Sequence, residues 1–381
     1  MSVDELLAGK RICVCAGSGG VGKTTTSAAI AVGMAAAGAK VAVVTIDPAQ
    51  RLANALGVEE LPNEPHRVAP ERLASAGLEL EGELWAMMLD PKRTFDDLIE
   101  RIAPDADRAE AIKANRVYRE LSSAVSGSQE FTAVAKLYDL DQAHEFDLLV
   151  LDTPPSRNAL DFLEAPQRLS SFFEGSSLNS FARPTGLGLR ILGRGATPLL
   201  GAMRRVTGVD LLTDVGTFFE LLGGMTRDFN DRARQVELML RADTTAFALV
   251  TSAEREPIDE AIWFHRTLAH GGLPFAGVIV NRVHHDLLGG SEPADVTPAL
   301  RRSLGADLAT RVAQNFDDYH VLARRDDRNV ERLAQAIEDE PLLLVPQLDQ
   351  DVHDLEGLLQ MERYLFASDA ERERLLADLV A

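Results

Sequence analysis

Cysteine is nearly absent: the 381 residues hold two, Cys13 and Cys15. With one residue between them they supply neither a disulfide framework nor a CxxC metal pair. They alternate on one face of the first apolar run and read as small core residues. Basic residues are also short, with 39 Lys and Arg against 59 Asp and Glu and a formal charge of −20. Such a surface repels a phosphate backbone instead of releasing its counterions, which excludes nucleic acid as a general partner. No stretch reaches the ~18 consecutive apolar residues of a membrane-crossing helix. The longest candidate, 186–225, is interrupted by Arg190, Arg194, Arg204, Arg205, Asp210 and Asp214. The first nine residues carry Asp4 and Glu5 and lack a basic n-region and an apolar h-region. The expectation is a cytoplasmic protein with no direct membrane span. Methionine is scarce, with eight in the chain, so no Met-rich adaptable groove is evident. Fixed-period repeats and low-complexity segments are missing as well.

What is present is the composition of a folded domain, 46% apolar and 26% charged. Short apolar or β-branched runs at 11–16, 41–46, 84–89, 148–151, 246–251, 275–280 and 342–345 read as buried strands. Helical patterns lie between them, the first over 23–37 and closed by Gly38. This alternation predicts an α/β fold with a mostly parallel, doubly wound sheet. Two stretches depart from it, about 91–143 and 165–242, and read as helical insertions within a single domain spanning 1–381. In the second, Leu211, Val215, Phe218, Phe219, Leu222 and Met225 recur at three- and four-residue spacing. That stripe is either the packing face of a subdomain helix or the wall of a groove for a hydrophobic helix.

The chemistry is concentrated at the ends of the strands. Gly17, Ser18, Gly19, Gly20, Val21, Gly22, Lys23 and Thr24 match G-x-x-x-x-G-K-[ST], after a strand and at the start of a helix. Glycines let backbone N–H groups curl around phosphate oxygens, and the helix N-terminus adds positive dipole. Lys23 is expected on the β/γ-phosphates and Thr24 on Mg²⁺. Asp152, followed by Thr153-Pro154-Pro155, ends an apolar strand where a carboxylate can face the same Mg²⁺ through a water. Asp47 also ends a strand and is the candidate to orient or deprotonate the attacking water; its alternative role is a helix N-cap. Together these residues predict a P-loop NTPase.

The loop running through Thr25, Asp47-Pro-Ala-Gln, the segment LWAMMLDPK at 84–92, Asp152-Thr-Pro-Pro-Ser and Gly-Val-Ile-Val-Asn at 277–281 occur in a fixed order. In that order and spacing they resemble the P-loop, switch I, third strand, switch II and adenine-recognition segment of the arsenite-pump and guided-entry ATPases. The resemblance implies a Mg²⁺-dependent ATP hydrolase, dimeric, in which ATP closes two subunits and rearranges a helical subdomain that binds a client or a metalloid. It implies that Asn281 reads the adenine and that Pro346 lies beside it; from the residues alone, Asn281 could equally cap or turn the chain.

Two departures from that family's pattern carry weight. The residue after the first P-loop glycine, a lysine in the family that reaches the partner's phosphates, is Ser18 here. Trans cations of this kind are worth roughly 10³–10⁵ in rate in other nucleotidases. Either Arg51 or Arg157 substitutes, or the chain pairs with a lysine-bearing paralogue, so homodimer and heterodimer both stay open. The thiolates that bind arsenite and the CxxC that staples some targeting dimers are also missing, which leaves a hydrophobic protein client as the candidate cargo. The alternatives are a regulatory or partitioning ATPase, or a slowly hydrolysing nucleotide-binding scaffold. His284-His285 read as loop residues rather than a metal pair, and the charged run 370–374 as a solvated helical face.

Overall fold

The seven apolar runs all become strands: β1 (Ile12–Ala16), β2 (Lys40–Thr45), β4 (Glu83–Met88), β5 (Leu148–Asp152), β6 (Thr245–Ser252), β7 (Phe275–Val283) and β8 (Leu342–Pro346). The structure is a computed structural model that describes residues 1–47, 50–119, 128–153, 211–222, 225–287, 293–338, 340–348, 351–352 and 354–378. An eighth strand, β3 (His66–Arg67), is two exposed residues paired antiparallel to β4. With no apolar residue in it, no hydrophobic alternation marks it in the sequence. The sheet runs β3-β4-β2-β5-β1-β6-β7-β8, and every pair other than β3 with β4 is parallel. The expected α/β class with a mostly parallel sheet is what forms.

The centre of the sheet is fully buried, with β1 and β5 buried at every position. Cys13 and Cys15 are part of that core, as expected, each 0% exposed. Helix Lys23–Ala36 is buried at ten of its 14 residues, most of them Ala, Ile or Val. A helix apolar on nearly all sides is one covered on nearly all sides. Here Leu358, Met361 and Leu365 of helix Leu355–Phe366 join the same core.

Between β7 and β8 the chain makes helix Pro293–Leu304 and the 32-residue helix Ala306–Ile337. The sequence reading does not single out this excursion, because the long helix buries few residues, among them Ala309, Ala323, Asp326, Leu333 and Ile337. At the C-terminus the solvated-face expectation needs a correction at Arg372, which is 8% exposed. Its guanidinium donates to the carbonyls of Tyr364, Ala367 and Met1, since an apolar stem with five donors can be sunk where orphan carbonyls collect.

The chain divides into two compact units, 1–89 with 137–159 and 239–381, and 90–136 with 160–238. The second has its own core, in which Phe95, Leu98, Ile99, Ile112 and Tyr118 meet Phe218, Leu222 and Met225. Three members of the apolar stripe are thus packing residues of that unit; the side chains of Leu211, Val215 and Phe219 lie outside those described, as do residues 154–210 and with them Arg157. Tyr118 donates to Asp96 at 2.6 Å, and burial with that bond pushes its phenol far above the usual range. Arg108 donates to the carbonyls of Glu220 and Leu221, closing the end of helix Leu211–Leu222 with a cation where the dipole is negative. Among the described residues no helix is long and apolar enough to cross a membrane.

Candidate functional site

Register determines what meets at the carboxyl edge. β5 lies between β1 and β2, with Asp152 level with Cys15 on one side and Thr45 on the other. The loop leaving β1 turns through Gly17 (φ +151°) and Gly22 (φ +97°). A Cβ on Gly17 would lie 2.0 Å from the Val250 carbonyl oxygen, and one on Gly22 would lie 2.3 Å from the Asn281 amide nitrogen. Both positions need glycine for backbone and for space. Helix Lys23–Ala36 starts directly after Gly22, so its free N–H groups face the loop.

Asp152 is 1% exposed and takes hydrogen bonds on one oxygen only. The hydroxyls of Thr24 and Thr45 both donate to Oδ2 at 2.8 Å. Among the described residues Oδ1 is buried with no partner. Burial lifts the Asp152 carboxyl to about 6, against the two threonine hydrogen bonds and the positive charge of Lys23, which favour the ionised form. A buried, half-satisfied carboxylate beside a threonine hydroxyl suits a hard cation that takes oxygen ligands. No group of three or more His, Cys, Asp or Glu that could hold a metal occurs among the described residues.

Lys23 is 6% exposed and donates to the carbonyl of Ser18 at 2.7 Å, so its ammonium closes the loop on itself. Its pKa is lowered, first by burial and then by Arg51, while Asp152 and Asp47 oppose the shift. Asp47 hangs on the same threonine, its backbone N–H donating to Thr45 Oγ1 at 3.2 Å. Its carboxylate faces Arg51 Nε at 3.6 Å, and the N-cap residue of helix Arg51–Ala55 is Gln50. The Ser18 hydroxyl is buried without a partner among the described residues.

The other expected residues lie on the opposite flank of the loop. Asn281, level with Ser252 in the β6–β7 register, donates its side-chain amide to the Val21 carbonyl at 3.0 Å. Pro346 ends β8 opposite Val283. Lys23, Thr24, Asp47 and Asp152 thus come together on one flank, and Asn281 braces the loop from the other.

The chain as a whole is matched by known proteins. Residues 10–339 fit the family model described as anion-transporting ATPase. The chain belongs to this family. ATPase get3 of Schizosaccharomyces japonicus is 24% identical over 284 residues, covering 74% of this chain and 76% of that protein. A putative arsenical pump-driving ATPase of Halobacterium salinarum is 32% identical over 175 residues, 45% of this chain and 26% of the relative. A putative arsenical pump-driving ATPase 1 of Aquifex aeolicus is 24% identical over 279 residues, 72% of this chain and 63% of the relative.

In this member of the anion-transporting ATPase family, sequence reasoning misses three contributors to the loop's surroundings. Thr45 is one more β-branched residue in a strand until register sets it against Asp152. Arg282 follows Asn281 and donates to the Gly20 carbonyl at 3.3 Å. His284 and Asp326 pair across 42 residues, Nδ1 to Oδ2 at 2.7 Å; the adjacent histidines are loop residues as expected, but one is committed to a buried carboxylate.

Proposed function

We propose that the chain is a Mg²⁺-dependent ATPase of the arsenite-pump and guided-entry type, acting in the cytoplasm as a dimer whose closure on ATP is coupled to binding of a client or partner protein. One observation carries the reading: Oδ1 of buried Asp152, without a partner among the described residues, beside Thr24 at the mouth of a phosphate loop. Mg²⁺ would supply charge neutralisation across the β- and γ-phosphates, held by Thr24 and, through a water, by Asp152. Lys23 exchanges the Ser18 carbonyl for phosphate oxygens, joined by the backbone N–H groups from Gly19 to Thr25. Asp47 positions the attacking water, and Asn281 with Pro346 borders the base. A near-complete shift between open and closed states needs roughly 5.5 kcal/mol of differential binding, which a γ-phosphate shared by two subunits can supply.

Ser18 leaves the trans cation to another group. Arg51 is the described candidate, 64% exposed and beside Asp47; the other source is a lysine-bearing paralogue in a heterodimer. The Arg51–Asp47 pair also favours a second reading, a slowly hydrolysing scaffold, because the guanidinium occupies the carboxylate that would otherwise orient the water. ATP turnover with Mg²⁺ and with EDTA, taken together with solution mass, tests both. Mg²⁺-dependent turnover by a dimer supports the ATPase reading. Tight ATP binding without turnover, alone or with co-purifying protein, supports the scaffold, and no ATP binding removes both.

A further inference from the structure

A cavity of about 240 Å³ opens against the flank of the P-loop at Gly20 and Val21, with Arg282, His284, Asp326 and Gln347 in its wall. It has the size of a nucleobase-sized fragment rather than of a whole cofactor pocket. Two successive residues at the end of β7 reach two successive carbonyls of the loop, Asn281 to Val21 and Arg282 to Gly20. Arg282 does so from a left-handed backbone, φ +59°. A long side chain holds that conformation only where its surroundings over-determine it.

The surroundings are Asp326. It is 0% exposed, in the long helix Ala306–Ile337, and all its acceptor capacity is used. Oδ2 accepts the backbone N–H of His284 at 3.0 Å and its Nδ1 at 2.7 Å. Oδ1 accepts Nε and Nη2 of Arg325 at 3.0 and 2.8 Å. A carboxylate with four donors is a clamp and not a ligand. What it clamps is the chain two residues beyond Arg282.

We infer that Asp326 is a positioning residue for the nucleoside end of the bound nucleotide: by fixing His284 it holds Arg282 and Asn281 against the P-loop, and it sets affinity for base and ribose rather than for the phosphates. This rests on the phosphate-loop reading above. A purely structural ion pair would weaken all ligands together, so the informative quantity is a ratio. Calorimetric titration of the full chain with Mg·ATP and with magnesium tripolyphosphate compares the nucleoside-bearing ligand with its phosphate chain alone. In Asp326→Ala and in Arg282→Ala, ATP affinity falls about tenfold or more while tripolyphosphate affinity stays within about twofold. Asp326→Asn, which keeps the volume and part of the acceptor set, shows a smaller loss of the same kind and serves where the alanine variant does not fold. Equal weakening of both ligands, or no change in either, overturns the inference and leaves the phosphate site standing. A wild-type chain that binds neither ligand overturns both.

Discussion

The two flanks of the P-loop each hold a buried carboxylate, and the two are partnered in opposite ways. Asp152 has two hydroxyl donors on one oxygen and, among the described residues, none on the other. Asp326 has four donors from a guanidinium, an imidazole and a backbone amide. Both groups are taken out of water, so both carry the cost of burying a charge. On the Asp326 flank that cost is offset within the chain, and the result is a rigid wall. On the Asp152 flank it is left partly open, and burial is free to raise the carboxyl to about 6. An unsatisfied buried oxygen is retained where a ligand completes it. The proposed chemistry accordingly falls to the half-satisfied flank and the proposed positioning to the satisfied one.

The sharpest way to break this division is to remove the charges of the phosphate flank one at a time. Lys23→Ala removes the ammonium that the loop is built to deliver, and ATP affinity is expected to fall by about 100-fold or more in a calorimetric titration, since a charge-assisted bond in a desolvated site is lost. Asp47→Asn, in contrast, is expected to keep affinity within about threefold and to cut turnover by roughly 10²–10⁴, the range of a lost general base. Normal turnover in the Asp47→Asn variant would strip that residue of its role. Unchanged binding in the Lys23→Ala variant would remove the phosphate site itself.

How much of this was readable from the sequence follows the same division. Lys23, Thr24, Asp47 and Asp152 are legible because each belongs to a local pattern, a glycine-rich turn or the polar end of an apolar strand. The parallel sheet is legible for the same reason, its strands being uninterrupted apolar runs. The second flank is not local. Arg282 looks like any residue following a strand, and its role depends on a backbone conformation. Asp326 lies in a helix so polar that it reads as solvated, and nothing in a single sequence says that position 326 meets position 284. The stripe from Leu211 was legible as amphipathic only. Which of its two meanings holds for Phe218, Leu222 and Met225 depended on Phe95 and Tyr118 arriving from more than 90 residues away.

The half-satisfied state of Asp152 has a thermodynamic signature. Its carboxyl holds a proton more tightly in the folded chain, at about 6, than an ordinary aspartate does at 3.8. Between those two values the native state binds more protons than the unfolded one, so stability falls as pH rises through the window and is flat above it. The difference corresponds to about 3 kcal/mol for this group. Urea unfolding of the ligand-free chain is therefore expected to show wild type losing about that much stability from pH 4 to pH 7 relative to the Asp152→Asn variant, which has no such proton to lose. Parallel pH profiles for the two proteins would mean that the oxygen is not desolvated as described.

The smallest effect belongs to Thr45, and it discriminates most finely between the flanks. Its hydroxyl donates to Asp152 Oδ2 and accepts the Asp47 N–H, so it links the Asp152 carboxylate to the backbone of Asp47. Thr45→Val keeps the shape and deletes one of the two bonds that favour the ionised carboxylate. A lost hydrogen bond of this kind costs about 1 kcal/mol, or several-fold in an equilibrium constant. The carboxyl is expected to titrate above its wild-type value, followed by carbon NMR of the side-chain carboxyl, and the Mg²⁺ concentration needed for half-maximal ATP binding to rise several-fold. Loss would be confined to Mg²⁺-dependent binding, because the hydrogen bonds of Thr45 run to Asp152 and Asp47 and not to the Asn281 flank. If affinity for ATP without Mg²⁺ fell equally, the two flanks would be one mechanical unit, and the separate roles given to Asp152 and Asp326 would have to be merged.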